Sequence, residues 1–338
     1  MAYLFRIRTL LIAFCFLLII TLAWFLFVPP SGTGVRKIIL VKKGSALKTV
    51  SAILEKEGII RSRHLFVAFT TLLGKKMEIK AGEYELHTAM RPFQVLDALV
   101  RGQVIDHLVT IPEGFTLAQI AQHLEDSNIV EKAAFLEKAT STAFIASLDL
   151  GPGVRPTLEG YLFPDTYHFY KEMDVEKVIQ RMVQQFRKVF TAELASQAVQ
   201  RGMSEQDVVT LASIIEKETS LPEEKPLVSA VFHNRLRLKM PLQSDPTVIY
   251  GLKDFKGNIK REHLTKPTPY NTYLLMGLPP GPISNPGKYS LLAALSPAAV
   301  PYLYFVSKGD GTHHFSSTFA EHNRAVMKYQ MKNRLTKK

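Results

Sequence analysis

The sequence predicts an α+β protein: an N-terminal single transmembrane helix, a small βααβ subdomain and a larger mixed α+β domain. Three observations predict this class: an uncharged apolar run near the N-terminus, helix-period segments alternating with short strand-like runs, and a loop-rich C-terminal half. The predicted divisions are 1–30 for the cytoplasmic tip and anchor, 31–112 for the small subdomain, 113–150 for a helical connecting region and 151–338 for the larger domain.

The apolar run covers residues 10–28, which is long enough to cross a bilayer as a helix. Arg6 and Arg8 precede it, and this short basic N-terminus favours a cytoplasmic start. A cleaved signal peptide is the alternative, but its apolar core is normally shorter and no A-x-A-like site follows here. We therefore expect a single-pass protein of the inner (cytoplasmic) membrane with most of the chain in the periplasm.

Composition limits the function classes. The chain has 338 residues and a formal net charge of +12, which suits nucleic acid, an anionic membrane surface or an acidic polymer. The expected export argues against nucleic acid. The single cysteine, Cys15, lies in the apolar run, so the exported part has no disulfide, thiolate zinc site or cysteine nucleophile.

The small subdomain is predicted from its capping and alternation signals. A strand at 37–41 is followed by a helix capped by Ser45, a second helix capped by Ser62, an alternating strand at 80–86 and a helix at 93–101. This order resembles LysM modules, which commonly bind glycan chains. A packing subdomain without a ligand is an equal alternative.

A strand–glycine–helix unit is predicted to occur twice, seventy residues apart. The matched residues are Gly44, Leu47, Val50, Leu54 and Ile59 in the first copy and Gly114, Leu117, Ile120, Leu124 and Ile129 in the second. Two copies are too few for a solenoid.

Helices dominate the chain from 115 to 238. Residues 115–150 have a helical pattern, and Gly151, Pro152 and Gly153 mark a boundary. Further helices are expected from 175 to about 189, from Glu193, and from Ser204 as an N-cap, with Asp207 in the first turn. A last long helix covers 227–238.

The C-terminal part is expected to be loop-rich. Residues 242–286 contain many Gly, Pro, Asn and Tyr residues and are predicted to be ordered loop, which in a compact domain usually lines a site. A short helix at 291–295 follows. The segments 302–306 and 312–315 flank Lys-Gly-Asp-Gly, which predicts a hairpin.

One helix carries a carboxylate on its apolar face. The residues at i, i+3, i+4 and i+7 are Leu211, Ile214, Ile215 and Glu218. Glu216 and Lys217 then point elsewhere and are expected to face water. A desolvated carboxylate has a raised pKa and can hold a proton near neutral pH, as a general acid must. A half-exposed position at the helix end, or pairing with an arginine, is the structural alternative.

Other catalytic chemistries lack their motifs. No G-x-S-x-G nucleophile elbow or complete phosphate-binding loop is present. His313, His314 and His322 have no spacing typical of a metal site and are interpreted as hairpin and surface histidines. We expect no metal and no cofactor. Glycan cleavage by an acidic catalyst is the fourth candidate chemistry, and several signals favour it.

Carbohydrate sites combine planar hydrogen-bonding groups with aromatic faces. Such groups are concentrated at 159–167, 242–247 and 269–273. Each segment alone is more often a turn or capping cluster. Together, in an exported protein with a candidate buried acid, they favour a glycan-binding groove.

From 159 to 323 the sequence resembles the MltG (YceG-like) endolytic murein transglycosylases, and the anchor and LysM-like region extend the resemblance to nearly the whole chain. The matching motifs are EGYLFPDTY at 159–167, LASIIEKET at 211–219, VFHNRL at 231–236, MPLQSDPTVIYG at 240–251, YNTYLLMGLPPGPISNPG at 270–287 and YLYFVSKGDGTHHFSST at 302–318. The resemblance implies that 151–338 is the catalytic domain. It implies cleavage of the β-1,4 bond between N-acetylmuramic acid and N-acetylglucosamine, leaving a 1,6-anhydro end without consuming water.

The resemblance also implies that the catalytic residue is the glutamate before Thr in E-K-E-T, which is Glu218, the residue that the helical face indicates. The expected substrate-binding residues are Glu159, Tyr161, Phe163, Asp165, Gln243, Ser244, Asp245, Tyr270, Asn271, Thr272 and Asn285. Of these, Asp165 and Asp245 are candidates for electrostatic assistance to Glu218. The expected partners are nascent peptidoglycan strands, whose elongation the enzyme would terminate, and peptidoglycan synthases.

Two alternatives stay open. A non-catalytic peptidoglycan-binding anchor or scaffold explains the apolar run and the basic charge equally well, but not the glutamate on an apolar face. A hydrolytic muramidase would use water and leave reducing ends.

Overall fold

A computed structural model describes residues 2–148, 150, 151, 155–252, 255 and 257–331, and its mixture of helices and short antiparallel strands confirms the α+β class. Pro152 and Gly153 of the predicted boundary lie outside the described residues. The chain forms two compact units. One contains Met1–Leu108, Asn128–Val130 and His168–Asp174, and the other contains Val109–Ser127, Glu131–Tyr167 and Val175–Lys338.

The N-terminal apolar run is one helix, α1 (Ala2–Phe27). Its segment Arg6–Phe27 is long and apolar enough to cross a membrane, although a signal sequence has the same length and composition.

The small subdomain has the predicted strand–helix–helix–strand order. It contains β1 (Arg36–Val41), α2 (Leu47–Lys56), α3 (Arg63–Leu72) and β2 (Gly82–His87), and β1 pairs antiparallel with β2. Its core includes Val50, Leu54, Phe66 and Tyr84. The likeness to LysM modules stays a prediction.

One of the two predicted caps in this subdomain is present. Ser62 Oγ accepts a hydrogen bond from the Leu65 amide and caps α3. The predicted cap at Ser45 is wrong, because α2 begins one residue later, with Ala46 at the N-cap and no side-chain hydrogen bond there.

The middle of the chain repeats the strand–turn–helix pattern. The elements in order are α4 (Pro92–Arg101), β3 (His107–Thr110), α5 (Leu117–Asp126), α6 (Lys132–Ala139), α7 (Thr142–Ala146) and β4 (Thr166–Phe169), and β3 pairs with β4. Gly44 and Gly114 both have left-handed backbones, with φ of 77° and 75°, ahead of helices of equal length. The predicted double use of this unit is confirmed.

All four predicted long helices are present. They are α8 (Val175–Val189), α9 (Ala192–Gln200), α10 (Glu205–Glu218) and α11 (Lys225–Arg237). The predicted cap of α10 is present, since Ser204 Oγ accepts from the Asp207 amide and the Asp207 carboxylate accepts from the Ser204 amide. Every residue from 208 to 215 is buried, so α10 is a core helix covered on all sides.

The region expected to be continuous loop contains two short helices, α12 (Asp245–Gly251) and α13 (Arg261–Leu264). Both are too short to show a helical period in a sequence rich in Gly and Pro. The chain then forms α14 (Lys288–Leu295), β5 (Tyr304–Ser307), β6 (His313–Ser316), α15 (Phe319–Val326) and a π-helical turn, Met327–Met331. The strands β5 and β6 pair antiparallel, which confirms the predicted hairpin.

The capping box at the start of α10 predicts a measurable loss of stability on truncation. Ser204→Ala should lower the free energy of unfolding by about 1 kcal/mol in chemical denaturation, because the Asp207 amide loses its acceptor. Ser220→Ala, at an exposed position just after the same helix, is the control and should have little effect. Equal losses in both variants would contradict the capping role.

Candidate active site

Glu218 is the last residue of the core helix, and the face predicted for it is confirmed. Leu211, Ile214 and Ile215 are fully buried, while Glu218 is partly exposed beyond them. The pKa of Glu218 is raised to about 7, chiefly by burial and in smaller part by the negative charge of Asp245, against the opposing effects of the Ser244 hydrogen bond and the Arg235 charge. A carboxyl with this pKa exists in both protonation states near neutral pH, as an acid–base catalyst requires.

The carboxyl of Glu218 faces a cavity of about 350 Å³. The lining residues come from α10, α11, the α12 region, the hairpin and the C-terminal elements: Glu218, Arg235, Leu242, Gln243, Asp245, Tyr273, Phe305, Val306, Ser307, His313, His322, Val326 and Gln330. The wall is mainly polar and includes aromatic rings, which suits a carbohydrate.

Ser244 holds Glu218 in place. Its Oγ donates a 2.5 Å hydrogen bond to Glu218 Oε1, and its amide donates to Thr272 Oγ1 at 3.0 Å. The amide of Gln243 donates to the Thr272 carbonyl at 3.0 Å, with the Gln243 backbone in the left-handed region at φ 52°. Buried Thr272 therefore supports the turn that brings Ser244 and Gln243 to the C-terminal end of α10.

Asp245 is the second carboxylate of the cavity. Its Oδ1 accepts a 2.6 Å hydrogen bond from the Tyr273 hydroxyl. Tyr273 was not among the predicted site residues, although it ends the predicted 269–273 segment. A neighbouring carboxylate helps to keep a proton on Glu218, because two negative charges in one cavity repel each other.

Arg235 is a charged lining residue that the sequence prediction also missed. Its Nε donates to the Leu303 carbonyl at 2.7 Å and its Nη1 to the Leu242 carbonyl at 2.9 Å, so the guanidinium ties α11 to the segments before the hairpin and before α12. Its position within the VFHNRL motif was the only sequence signal. The positive charge favours the ionised form of Glu218.

Glu159 and Asn285 do not line this cavity. They are buried, and together they bind the start of α5 to the loop before α14. Glu159 accepts from the Leu117 amide at 2.9 Å and from Asn285 Nδ2 at 2.9 Å, and Asn285 Oδ1 accepts from the Leu162 amide at 2.9 Å. Burial raises the pKa of Glu159 to about 8 despite these bonds and one from the Tyr250 hydroxyl.

The other predicted residues of the 159–165 segment also lie outside the cavity wall. Tyr161 is buried, with its ring 5.2 Å from that of Phe186 in an edge-to-face contact. Phe163 is buried as well, and Asp165 accepts a 2.6 Å hydrogen bond from Gln185 Nε2. The aromatic and acidic side chains of this segment therefore serve packing and hydrogen bonding within the protein.

Tyr270 and Asn271 support the loop that carries Thr272. The Tyr270 ring lies 4.8 Å from that of Tyr250. Asn271 is fully buried, and its Nδ2 donates to the carbonyls of Leu264 and Lys266 at 3.0 and 2.8 Å. Of the predicted binding residues, the structure therefore brings Gln243, Ser244 and Asp245 to Glu218, with Thr272 behind them.

The expectation that Glu216 faces water is wrong. Its side chain is only 5% exposed and accepts from Lys225 Nζ at 2.9 Å, the Gly287 amide at 2.9 Å and Ser290 Oγ at 2.7 Å. The physical reason is that α11 and α14 cover α10 on the side that a simple amphipathic helix would expose. Lys217 is exposed as expected.

Two of the three C-terminal histidines line the cavity. His313 lies in the hairpin, as interpreted, but its side chain is only 12% exposed and lines the cavity. The ring of His322 lies 5.2 Å from that of Tyr304 in a stacked contact. Among the described residues, no group of three or more His, Cys, Asp or Glu side chains is placed to hold a metal ion.

The raised pKa of Glu218 predicts a pH-dependent effect of its replacement on stability. The folded state holds the proton more tightly than the unfolded state, so the wild type loses stability as pH rises from the ordinary glutamate value of 4.5 to about 7. Glu218→Gln avoids this loss and should be more stable than the wild type by roughly 1–3 kcal/mol at pH 8, but not at pH 4. Thermal denaturation at both pH values measures the difference, and a gain of equal size at both would contradict the shifted pKa.

Asn285 is predicted to act on stability, not on a ligand. Asn285→Ala should lower the free energy of unfolding by about 2–3 kcal/mol, because it leaves the buried Leu162 amide without its acceptor and removes one of the donors to the Glu159 carboxylate. Asn323→Ala, on the exposed side of α15, is the matched control in denaturant titrations. Unchanged stability with weaker glycan binding would instead place Asn285 in a binding site.

Comparison with known proteins identifies related sequences. Residues 39–328 match the model of the YceG-like family. A Bacillus subtilis protein named endolytic murein transglycosylase is 33% identical over 86% of this chain and 83% of its own length. A Streptococcus pneumoniae protein of the same name is 29% identical over 86% of this chain, which spans 57% of that longer protein.

A solved structure shows the same fold. The crystal structure of a YceG-like protein from Listeria monocytogenes superimposes with a TM-score of 0.59 at 34% identity, covering 86% of this chain and 99% of the other.

Proposed function

The chain belongs to the YceG-like family and is a peptidoglycan-cleaving enzyme of the lyase type, and we propose that it cuts the β-1,4 bond between N-acetylmuramic acid and N-acetylglucosamine. The product would carry a 1,6-anhydro end on the muramic acid. The observation that supports this most is the carboxyl of Glu218, whose raised pKa keeps it protonatable where it faces a polar and aromatic cavity.

In the first step, protonated Glu218 donates its proton to the glycosidic oxygen. The bond between C1 of the muramic acid and that oxygen breaks, and positive charge develops at C1 as in other glycoside cleavages. Ser244 supports this step because its hydroxyl holds the carboxyl in one position and stabilises the carboxylate that forms.

In the second step, the C6 hydroxyl of the same sugar attacks C1 and closes the anhydro ring. The simplest acceptor for the hydroxyl proton is the Glu218 carboxylate, which returns to its starting state. No water is consumed, so one carboxyl serves where ordinary glycosidases need two.

Asp245 is proposed to assist electrostatically. Its negative charge in the same cavity stabilises the positive charge at C1, and the Tyr273 hydroxyl at 2.6 Å fixes its orientation. Gln243 is exposed beside it and is the best-placed residue for a hydrogen bond to a sugar hydroxyl.

Membrane attachment would bring the enzyme to its substrate. We propose that α1 anchors the chain in the inner membrane with its N-terminus in the cytoplasm, which places the catalytic domain in the periplasm beside nascent strands. Peptidoglycan synthases are the proposed partners, and strand termination the proposed role. If the small subdomain binds glycan as LysM modules do, it would hold the enzyme on the glycan strand.

The decisive prediction concerns Glu218→Gln. This variant should fold but release anhydro-ended muropeptides from purified sacculi at least roughly a hundredfold more slowly, because an amide donates no proton. Glu223→Gln removes a carboxylate at an exposed position five residues further on and should keep full activity.

Mass spectrometry of the digested strands separates the alternatives. Products with reducing ends would identify a hydrolytic muramidase, and glycan binding without cleavage by the wild type would identify a scaffold. Retained anhydro products in Glu218→Gln would refute the assignment of the acid.

A further inference from the structure

A histidine and a glutamate outside the predicted site form a close pair beside the catalytic helix. His313 Nδ1 lies 2.7 Å from Glu224 Oε2, and the His313 amide donates to Glu224 Oε1 at 2.8 Å. The two side chains are 12% and 10% exposed, so water competes little for these bonds. Such a buried bidentate contact is a fixed feature of the site and not a surface ion pair.

Glu224 is ionised in this arrangement. Burial alone would raise its pKa, but the hydrogen bonds from His313 outweigh this effect and the pKa of Glu224 lies below its ordinary value. All its neighbours donate: the ring and amide of His313, and the Thr219 hydroxyl at 3.3 Å.

An ionised carboxylate at Nδ1 determines the tautomer of the histidine. Nδ1 must carry the hydrogen, which leaves Nε2 as the basic nitrogen of the neutral ring, and His313 is one of the residues that line the cavity. The Phe305 ring also packs edge-to-face against the His313 ring, with the two centroids 5.5 Å apart and the ring planes nearly perpendicular. A carboxylate that orients a histidine base in this way is the arrangement found in hydrolytic triads.

The same carboxylate connects the histidine to the catalytic acid. Thr219, which donates to Glu224, directly follows Glu218 in the chain and forms the C-terminal cap of α10. One buried group thus fixes both the end of the helix that carries the acid and the strand that carries the histidine.

We propose that His313 is a second catalytic residue, whose Nε2 takes the proton from the muramic C6 hydroxyl while Glu224 positions the ring. This rests on the function proposed above and assigns its proton acceptor to His313 instead of Glu218. The O6–H bond breaks, the O6–C1 bond forms, the C1–O4 bond breaks and O4 receives the Glu218 proton. The resulting imidazolium then returns one proton to the Glu218 carboxylate through solvent, and both groups regain their starting states.

The two roles require opposite protonation states, which shapes the pH profile. A general base that must be neutral to accept the hydroxyl proton gives a decline of activity at low pH. Activity should also fall at high pH as Glu218 loses its proton above about 7. A single glutamate serving as acid would give only the high-pH decline. The titratable and charged groups that surround the His313 ring or share its cavity are Glu224 before α11, Glu218 of α10, Arg235 of α11, Asp245 of α12, Tyr273 of the following loop and His322 of α15.

The test measures release of anhydro-ended products by the full chain in detergent, on purified glycan strands, from pH 5 to pH 9. His313→Gln should lower kcat about a hundredfold with KM changed less than about threefold, and should abolish the low-pH decline. Glu224→Gln should lower kcat about tenfold, because a neutral amide no longer fixes the tautomer. His314→Gln is the matched control: it changes the adjacent histidine, which alternates to the other face of β6, and should leave both kcat and the profile unchanged.

Three results would overturn the proposal: a wild-type profile without a low-pH decline, wild-type kcat in His313→Gln, or a lower kcat in that variant with the low-pH decline retained. The last result would mean that His313 only stabilises the hairpin and that the low-pH decline of activity is caused by His322 or another group. Failure of the proposed function itself is visible separately in the wild type, whose products would then carry reducing ends.

Discussion

The site depends on the desolvation of one group, the Glu218 carboxyl at the end of the buried helix α10. A helix covered on all sides has few places to keep a carboxylate, and its C-terminal end adds the unfavourable negative pole of the helix dipole. Part of this cost is offset by the Ser244 hydrogen bond, the Arg235 charge and the opening of the cavity. As a result the pKa of Glu218 stays near 7, and the group is not permanently protonated. The surrounding loops serve to hold these offsetting groups in place.

The sequence predicted the parts of the fold that have local signals. The capping box of α10, the hairpin and the twice-used strand–glycine–helix unit depend on neighbouring residues, and all three are present. Glu218 could be singled out because a charge on an apolar face is visible in a helical period. The helices α12 and α13 were missed because one or two turns carry no such period.

The rest of the site depends on contacts that no local pattern encodes. Glu216 and Glu218 are identical residues two positions apart, but one meets a buried lysine and the other a cavity. Glu159 and Asn285 lie in segments with the composition of a sugar site, yet their partners are backbone groups, the Tyr250 hydroxyl and each other. Polar residues that hold loops together and polar residues that bind sugars have the same composition, and only tertiary placement separates them.

The buried pair of Glu216 and Lys225 has a consequence for the rotation of α10 about its own axis. Residues two positions apart project about 200° from each other around a helix, so Glu216 and Glu218 point to nearly opposite sides. A turn of the helix by one residue would separate Glu216 from the Lys225 ammonium, which is 1% exposed. The more exposed Glu113 carboxylate, 3.8 Å from the ammonium, would then be its counter-ion, and losing the closer buried partner is destabilising. The salt bridge on the opposite side of the helix thereby fixes the rotation of α10 and determines which of the two glutamates faces the cavity.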